Sequence, residues 1–186
     1  MTSIEQYRAL RREIDVRTGE LEQMHARHLT CKPGCHQCCV NLSVFPVEFY
    51  AILEEMRRLV PAVELTLDPN ASCAFLKQGC CRIYACRPMI CRTHGLPVAF
   101  LNADTEEPEM SVSFCPLNFV DAEEDELSFG PDNSLNIDEL NMRLYAANAQ
   151  FLQEHPELRF GPSDRIDLRE LVVRLQQMQV AAQRIE

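Results

Sequence analysis

The stretch Cys31 to Cys39 reads CKPGCHQCC, four cysteines in nine residues with the last two adjacent. Zinc ions and iron–sulfur clusters both take four soft thiolate ligands converging on one point. The C-x3-C and C-x2-C spacings bring sulfurs together because a tight turn lets their side chains face one side. Cys31, Cys35 and Cys38 meet that requirement. Cys39 does not follow so simply, because adjacent side chains of an extended chain point to opposite faces. Either the Cys38–Cys39 pair serves two sites, or one of its members bridges.

Further along, Cys73, Cys80, Cys81, Cys86, Cys91 and Cys115 bring the total to ten cysteines. In CRIYACRPMICR, the Arg87-Pro88 step keeps Arg87 out of helical conformation, so the chain bends between Cys86 and Cys91. Arg87 and Arg92 present forked guanidinium groups beside these cysteines and are candidates for holding the carboxylate of a bound cofactor. His36 and His94 are candidate substitute ligands. His25 and His28, on the approach to the first cluster, suit an outer, orienting role. C-x3-C-x2-C is also the spacing of radical S-adenosylmethionine enzymes. That chemistry occupies a longer α/β barrel, and no alternating strand–helix series follows the motif here.

The net charge is −10, which disfavours a phosphate-backbone partner. The charge is unevenly distributed. Residues 71–103 contain no Asp or Glu but carry Lys77, Arg82, Arg87 and Arg92, and residues 31–47 carry only Lys32. Nearby cations lower thiol pKa and offset the negative charge of a thiolate-bound centre.

These elements in this order resemble the YkgJ-like cysteine-cluster family, a zinc- or iron-chelating domain. The matching residues are CKPGCHQCC, CAFL at Cys73, CRIYACRPMICR and FCP at Cys115. The resemblance covers residues 31–115 and implies a ligand set of Cys31, Cys35, Cys38, Cys39, Cys73, Cys81, Cys91 and Cys115. Cys80 and Cys86 fall outside the pattern and are read as extra thiols or core packing. Eight ligands make two four-sulfur sites, or one cluster plus a ligand-exchange set. Zinc sites typically use two C-x2-C pairs, whereas this chain has one clean pair, Cys35 and Cys38. Scattered ligands in cationic surroundings favour an iron–sulfur cluster, of 4Fe–4S type, with zinc as the alternative. The resemblance implies a redox or electron-transfer role. A zinc-binding adaptor, or an S-adenosylmethionine-dependent enzyme akin to a lysine methylase, are the other readings.

The elements that must position these cysteines are mainly helical. Apolar or amphipathic residues Ile4, Tyr7, Leu10, Ile14, Leu21, Met24 and His28 predict one helix over 3–29, opened by a Thr2/Glu5 capping box. Phe49, Ile52, Leu53, Met56, Leu59 and Val60 predict a second over 46–60, with Pro46 in its first turn. NLSVFP is short and strand-like. PVAFLNA and EMSVSF flank an acidic turn and read as a β-hairpin, whose second strand Cys115 closes. Helices are expected over 135–154, with Ser134 as N-cap, and over 164–184, with Asp167 and Glu170 forming a capping box. The fold class is therefore α+β, mainly helical: a cysteine-rich irregular core with a small β-hairpin, a long N-terminal helix before it and two C-terminal helices after it.

At 186 residues the chain suits a single domain. Its cysteine core spans 31–115 and its helical C-terminal part spans 134–186. The first residues form no apolar leader and no stretch is long enough to span a membrane, so a reduced cytoplasmic setting is expected. The expected partner is a protein or redox partner, not nucleic acid or membrane, and the C-terminal helices are a candidate homo-oligomer surface.

Overall fold

The computed structural model describes residues 1–32, 34–59, 72–104 and 107–183. Pro33, Val60, the segment 61–71, the hairpin turn at 105–106 and the expected helix end at 184 lie outside the described residues. The architecture is α+β and mainly helical, with five helices and three small sheets among the described residues.

Helix α1, Ser3–Met24, starts at the expected capping box: Thr2 Oγ1 accepts from the Glu5 N–H (3.2 Å) and Glu5 Oε2 accepts from the Thr2 N–H (2.8 Å). It ends five residues before the expected position 29. His25 is the C-cap, and its ring is drawn into tertiary contacts, with Nε2 2.8 Å from the Asn133 carbonyl oxygen. Residues 25–28 therefore turn instead of continuing the helix. Helix α2, Pro46–Leu59, is shared between two apolar cores. Its Val47 and Ala51 pack with Tyr7, Leu10, Ile14 and Leu21 of α1 and with Leu140, Leu144 and Phe151. Its Phe49, Ile52 and Met56 pack with Phe75, Ile83, Cys86, Ile166, Leu171 and Val172. Phe49 and Phe75 are each 1% exposed; truncating such a side chain to Ala costs about 3–5 kcal/mol.

The strands tie distant segments together. β1 (Ser43–Val44) pairs antiparallel with β7 (Ile166–Asp167). β2 (Leu76–Lys77) and β3 (Cys80–Cys81) form a hairpin. Its two-residue turn, Gln78-Gly79, has positive φ at both positions (52° and 75°), the left-handed pair that a tight hairpin needs. β4 (Val98–Asn102) pairs antiparallel with β5 (Glu109–Ser113), as the expected hairpin, and parallel with β6 (Leu135–Asn136). The second hairpin strand ends at Ser113, so Cys115 follows it in a turn and does not close it.

Recruitment of β6 and β7 shortens both C-terminal helices. Helix α4 is Ile137–Glu154, capped by Asn136, whose Oδ1 accepts from the Glu139 N–H at 3.1 Å. The expected cap, Ser134, instead donates its hydroxyl to the Gly130 carbonyl at 2.6 Å. Helix α5, Glu170–Gln183, starts at Glu170 and not at the expected 164. Asp167 lies in β7, and its carboxylate accepts from the Arg169 N–H and guanidinium rather than capping with Glu170. Helix α3, Met89–Thr93, is a short helix unforeseen from periodicity. Among the described residues, no helix is long and apolar enough to cross a membrane.

Candidate metal centre

The turn after α1 sets the first group of sulfurs. The His28 carbonyl accepts from the Phe119 N–H (2.9 Å), and the Thr30 N–H donates to Asn118 Oδ1 (2.9 Å). Cys31 is thereby laid against Gly95 and the segment Cys115–Asn118. Asn118 is 2% exposed and acts as a hub. Its Nδ2 donates to the Gly95 carbonyl (2.7 Å) and points at Cys31 Sγ (3.6 Å), while its backbone N–H donates to the Cys115 carbonyl (2.9 Å). Gly95 has φ +93°, and a Cβ there would meet Cys31 Sγ at 3.1 Å and Cys115 Cβ at 4.0 Å. Only glycine allows both that backbone and that approach. Two turns, Cys35 N–H to the Lys32 carbonyl and Cys39 N–H to the His36 carbonyl (both 2.9 Å), fold the cysteine loop back on itself. Cys31, Cys35 and Cys38 are exposed and Cys115 is half-buried. The Cys38 thiol is pushed up first by burial and then by Cys31, Cys35 and Cys115, which marks these four as one neighbourhood.

A second group forms on firmer elements. On β3, strand alternation turns Cys80 and Cys81 to opposite faces. Cys81 packs against the core that holds Phe75 and Ile83, while Cys80 is exposed. Cys73 precedes the hairpin and its carbonyl accepts from the Leu76 N–H at 3.0 Å. Asn41 Oδ1 accepts from the Ala74 N–H at 3.1 Å, joining this hairpin to the chain just after Cys39. Cys91 lies in α3, which is anchored from two sides. Glu48, 2% exposed on α2, accepts at Oε1 from the Met89 N–H (3.0 Å) and the Tyr7 hydroxyl (3.2 Å). Arg92 donates to the carbonyls of Arg87 (2.9 Å) and Ala85 (2.7 Å) and pairs with Asp15 of α1. Cys39, Cys73, Cys81 and Cys91 are all half-buried.

Electrostatic coupling links the second group together and joins it to the first through Cys38 and Cys39. Burial pushes Cys91 up to about 12, reinforced by Cys73, Cys81 and Cys39 and opposed by Arg87. Burial pushes Cys39 up to about 11, reinforced by Cys38, Cys73 and Cys81. Cys81 is raised by burial, against the Ile83 N–H that donates to its sulfur, and against Arg87. We call Cys31, Cys35, Cys38 and Cys115 the outer set and Cys39, Cys73, Cys81 and Cys91 the inner set. The adjacent residues Cys38 and Cys39 belong one to each. Among the described residues, no three His, Cys, Asp or Glu side chains stand at metal-holding geometry. The sets are thus open neighbourhoods of sulfurs, and holding a metal in either would mean drawing those sulfurs inward.

The other candidates have surroundings of their own. Cys86 is 3% exposed within the second core, its thiol raised to about 11 by burial. His36 is exposed, with Nδ1 2.9 Å from the Gly34 carbonyl oxygen. His94 is half-buried, and burial lowers its pKa. His25 and His28 pack on Phe119, with ring centroids 5.2 and 5.3 Å away, in an aromatic cluster with Phe114 and Phe129. Arg92 is 5% exposed and its guanidinium faces Asp15 and two carbonyls. Arg87 stacks on the Tyr84 ring, 3.8 Å from its centroid. Asn118, Gly95 and Glu48 were not read as site residues from sequence. Gly95 carries a recognisable signal, a glycine closing a helix; Asn118 and Glu48 carry none beyond hydrogen-bonding capacity.

The donor chemistry fits zinc or iron: two groups of four soft thiols, with an oriented amide at one and a cation at the other. Residues 30–116 match the family described as "CxxCxxCC: Putative zinc- or iron-chelating domain". Neither the curated proteins nor the solved structures yield a match to this chain.

Proposed function

Since residues 30–116 match the zinc- or iron-chelating CxxCxxCC domain, we propose that the protein is a two-centre iron–sulfur protein with an electron-transfer role. The observation that supports this reading is how the couplings divide at neighbouring residues: Cys38 couples to Cys31, Cys35 and Cys115, and Cys39 to Cys73 and Cys81 as well as to Cys38. Their Cα atoms are separated by one peptide unit, about 3.8 Å. Two iron–sulfur centres, when bound, supply one-electron chemistry at tunable potentials. The chain's own part is geometric. The inner set lies half-buried against the apolar core, and the outer set opens to solvent where a redox partner docks. Cys38 and Cys39 link the two by the shortest covalent path the backbone offers.

The local charge supports iron–sulfur over zinc. Arg87 acts on Cys81 and Cys91, at the more buried set, where an anionic cluster would otherwise meet the largest desolvation cost. Anaerobic purification tests the reading. The expected product is brown, holds iron and sulfide in equal amounts, and shows magnetic interaction between two reduced centres by electron paramagnetic resonance. Colourless protein holding zinc alone would refute the redox role and leave a structural zinc module. Tight calorimetric binding of S-adenosylmethionine would turn the reading towards a protein-modifying enzyme.

A further inference from the structure

Among the described residues, two buried side-chain nitrogens lack a hydrogen-bond partner, Arg11 Nη1 and Arg87 Nε. The first has an evident electrostatic account, because Arg11 donates through Nη2 to Glu55 at 2.7 Å and its charge is matched. Arg87 has no such match. It is fixed in place by its neighbours: Pro88 follows it, its carbonyl accepts from Arg92 Nε (2.9 Å), and its guanidinium lies on the Tyr84 ring. A buried donor nitrogen left unpaired is costly. A thiolate at Cys81 or Cys91, the cysteines that flank it in CRIYACRPMIC, would supply the acceptor that Nε lacks. We propose that Arg87 is a positioning residue for the inner set, its Nε–H donating to a thiolate of Cys81 or Cys91 when metal is held. A guanidinium fork oriented by an aromatic stack suits this role better than a mobile ammonium would.

The inference rests on the metal reading above but not on which metal is bound, so cobalt(II) alone serves as probe on the reduced full chain. In a Cys31→Ser/Cys35→Ser background, only the inner set reports through thiolate-to-cobalt absorption. Adding Arg87→Gln there should weaken cobalt binding roughly ten- to a hundredfold, the usual effect of losing a group that supports a ligand. In a Cys81→Ser/Cys91→Ser background, the same substitution should leave outer-set binding unchanged. Equal loss at both sets would mean a folding defect and would overturn the inference, as would no loss at the inner set. A second readout is the Arg87 Nε–H resonance, which should shift as zinc fills the inner set. A resonance that stays still while zinc binds would also refute the role. If the parent binds neither cobalt nor zinc, the metal reading itself falls, a result distinct from either arm.

Discussion

The outer and inner cysteine sets use the same ligand in two different surroundings. The outer set is carried by turns, with three of its four cysteines exposed, and an amide, Asn118, is its nearest polar support. The inner set is carried by a hairpin strand, a short helix and a core-facing loop. All four of its thiols are half-buried, and a cation is the support. Burial raises the cost of forming a thiolate, so the inner set must recover more from its metal and its countercharge. On the two-centre reading proposed above, the inner set would hold the more sheltered centre and the outer set the more accessible one.

The largest expected effect comes from breaking one set at a time. Cys91→Ser or Cys81→Ser should remove about half the bound metal and also the rise in melting temperature that metal gives, since site and fold are linked there. Cys35→Ser should remove a similar share of metal with a smaller change in melting temperature. Equal thermal effects of the two substitutions, with metal content measured alongside, would erase the distinction between the sets.

Gly95→Ala should come next, because it forces a side chain into a φ of +93° and onto Cys31 Sγ. A cost of about 1–3 kcal/mol is expected in urea unfolding of the metal-free chain, together with weaker outer-set metal binding. Asn118→Ala removes the buried hub between Thr30, Gly95 and Cys31. It should cost about 1–3 kcal/mol and loosen metal at the outer set while sparing the inner.

The pH dependence of the metal-free chain sharpens the contrast further. Cys39 and Cys91 titrate above an ordinary thiol, so the folded chain holds their protons more tightly than the unfolded chain does. The stability this provides is complete below the ordinary thiol range and drains as pH rises through about 11 and about 12. Chelator-treated, reduced protein should therefore unfold at lower urea in strongly alkaline buffer, and Cys91→Ser should blunt that slope. The smallest effect belongs to Cys80→Ser. That thiol points away from Cys81 and is exposed, so metal content and melting temperature should both stay at the parent value.

Local pattern made much of this structure readable. The apolar stripes of α1, α2 and α4, the Thr2–Glu5 cap and the 98–113 hairpin arise from residues close in sequence. The misplaced boundaries share one cause. Leu135–Asn136 and Ile166–Asp167 have helix-compatible sequence but are claimed by β4 and β1, partners remote along the chain. His25 likewise leaves its helix for Asn133 and two phenylalanine rings. At the cysteines, the question posed by the adjacent pair Cys38 and Cys39 was open to reading from the sequence. The grouping of each with distant sulfurs was not, since Cys115 and Cys91 are delivered by a turn and a short helix that no periodicity announces. Asn118 was invisible for a similar reason: an asparagine three residues after a cysteine becomes a hub only when Thr30 and Gly95 arrive beside it.

The pairing of β1 with β7 also bears on the order of assembly during synthesis. Ser43–Val44, directly after the cysteine loop, is paired by Ile166–Asp167 from the last part of this sequence. Leu168, Leu171 and Val172 then complete the core on which Cys73 and Cys81 rest. While the ribosome is still making the C-terminal helices, the first cysteine loop has emerged but its backing has not. Non-local closure of this kind is slow, so a nascent chain spends time with its thiols presented and unsorted. Delivery of metal after Ile166–Asp167 has been made, and not before, is the schedule this topology favours.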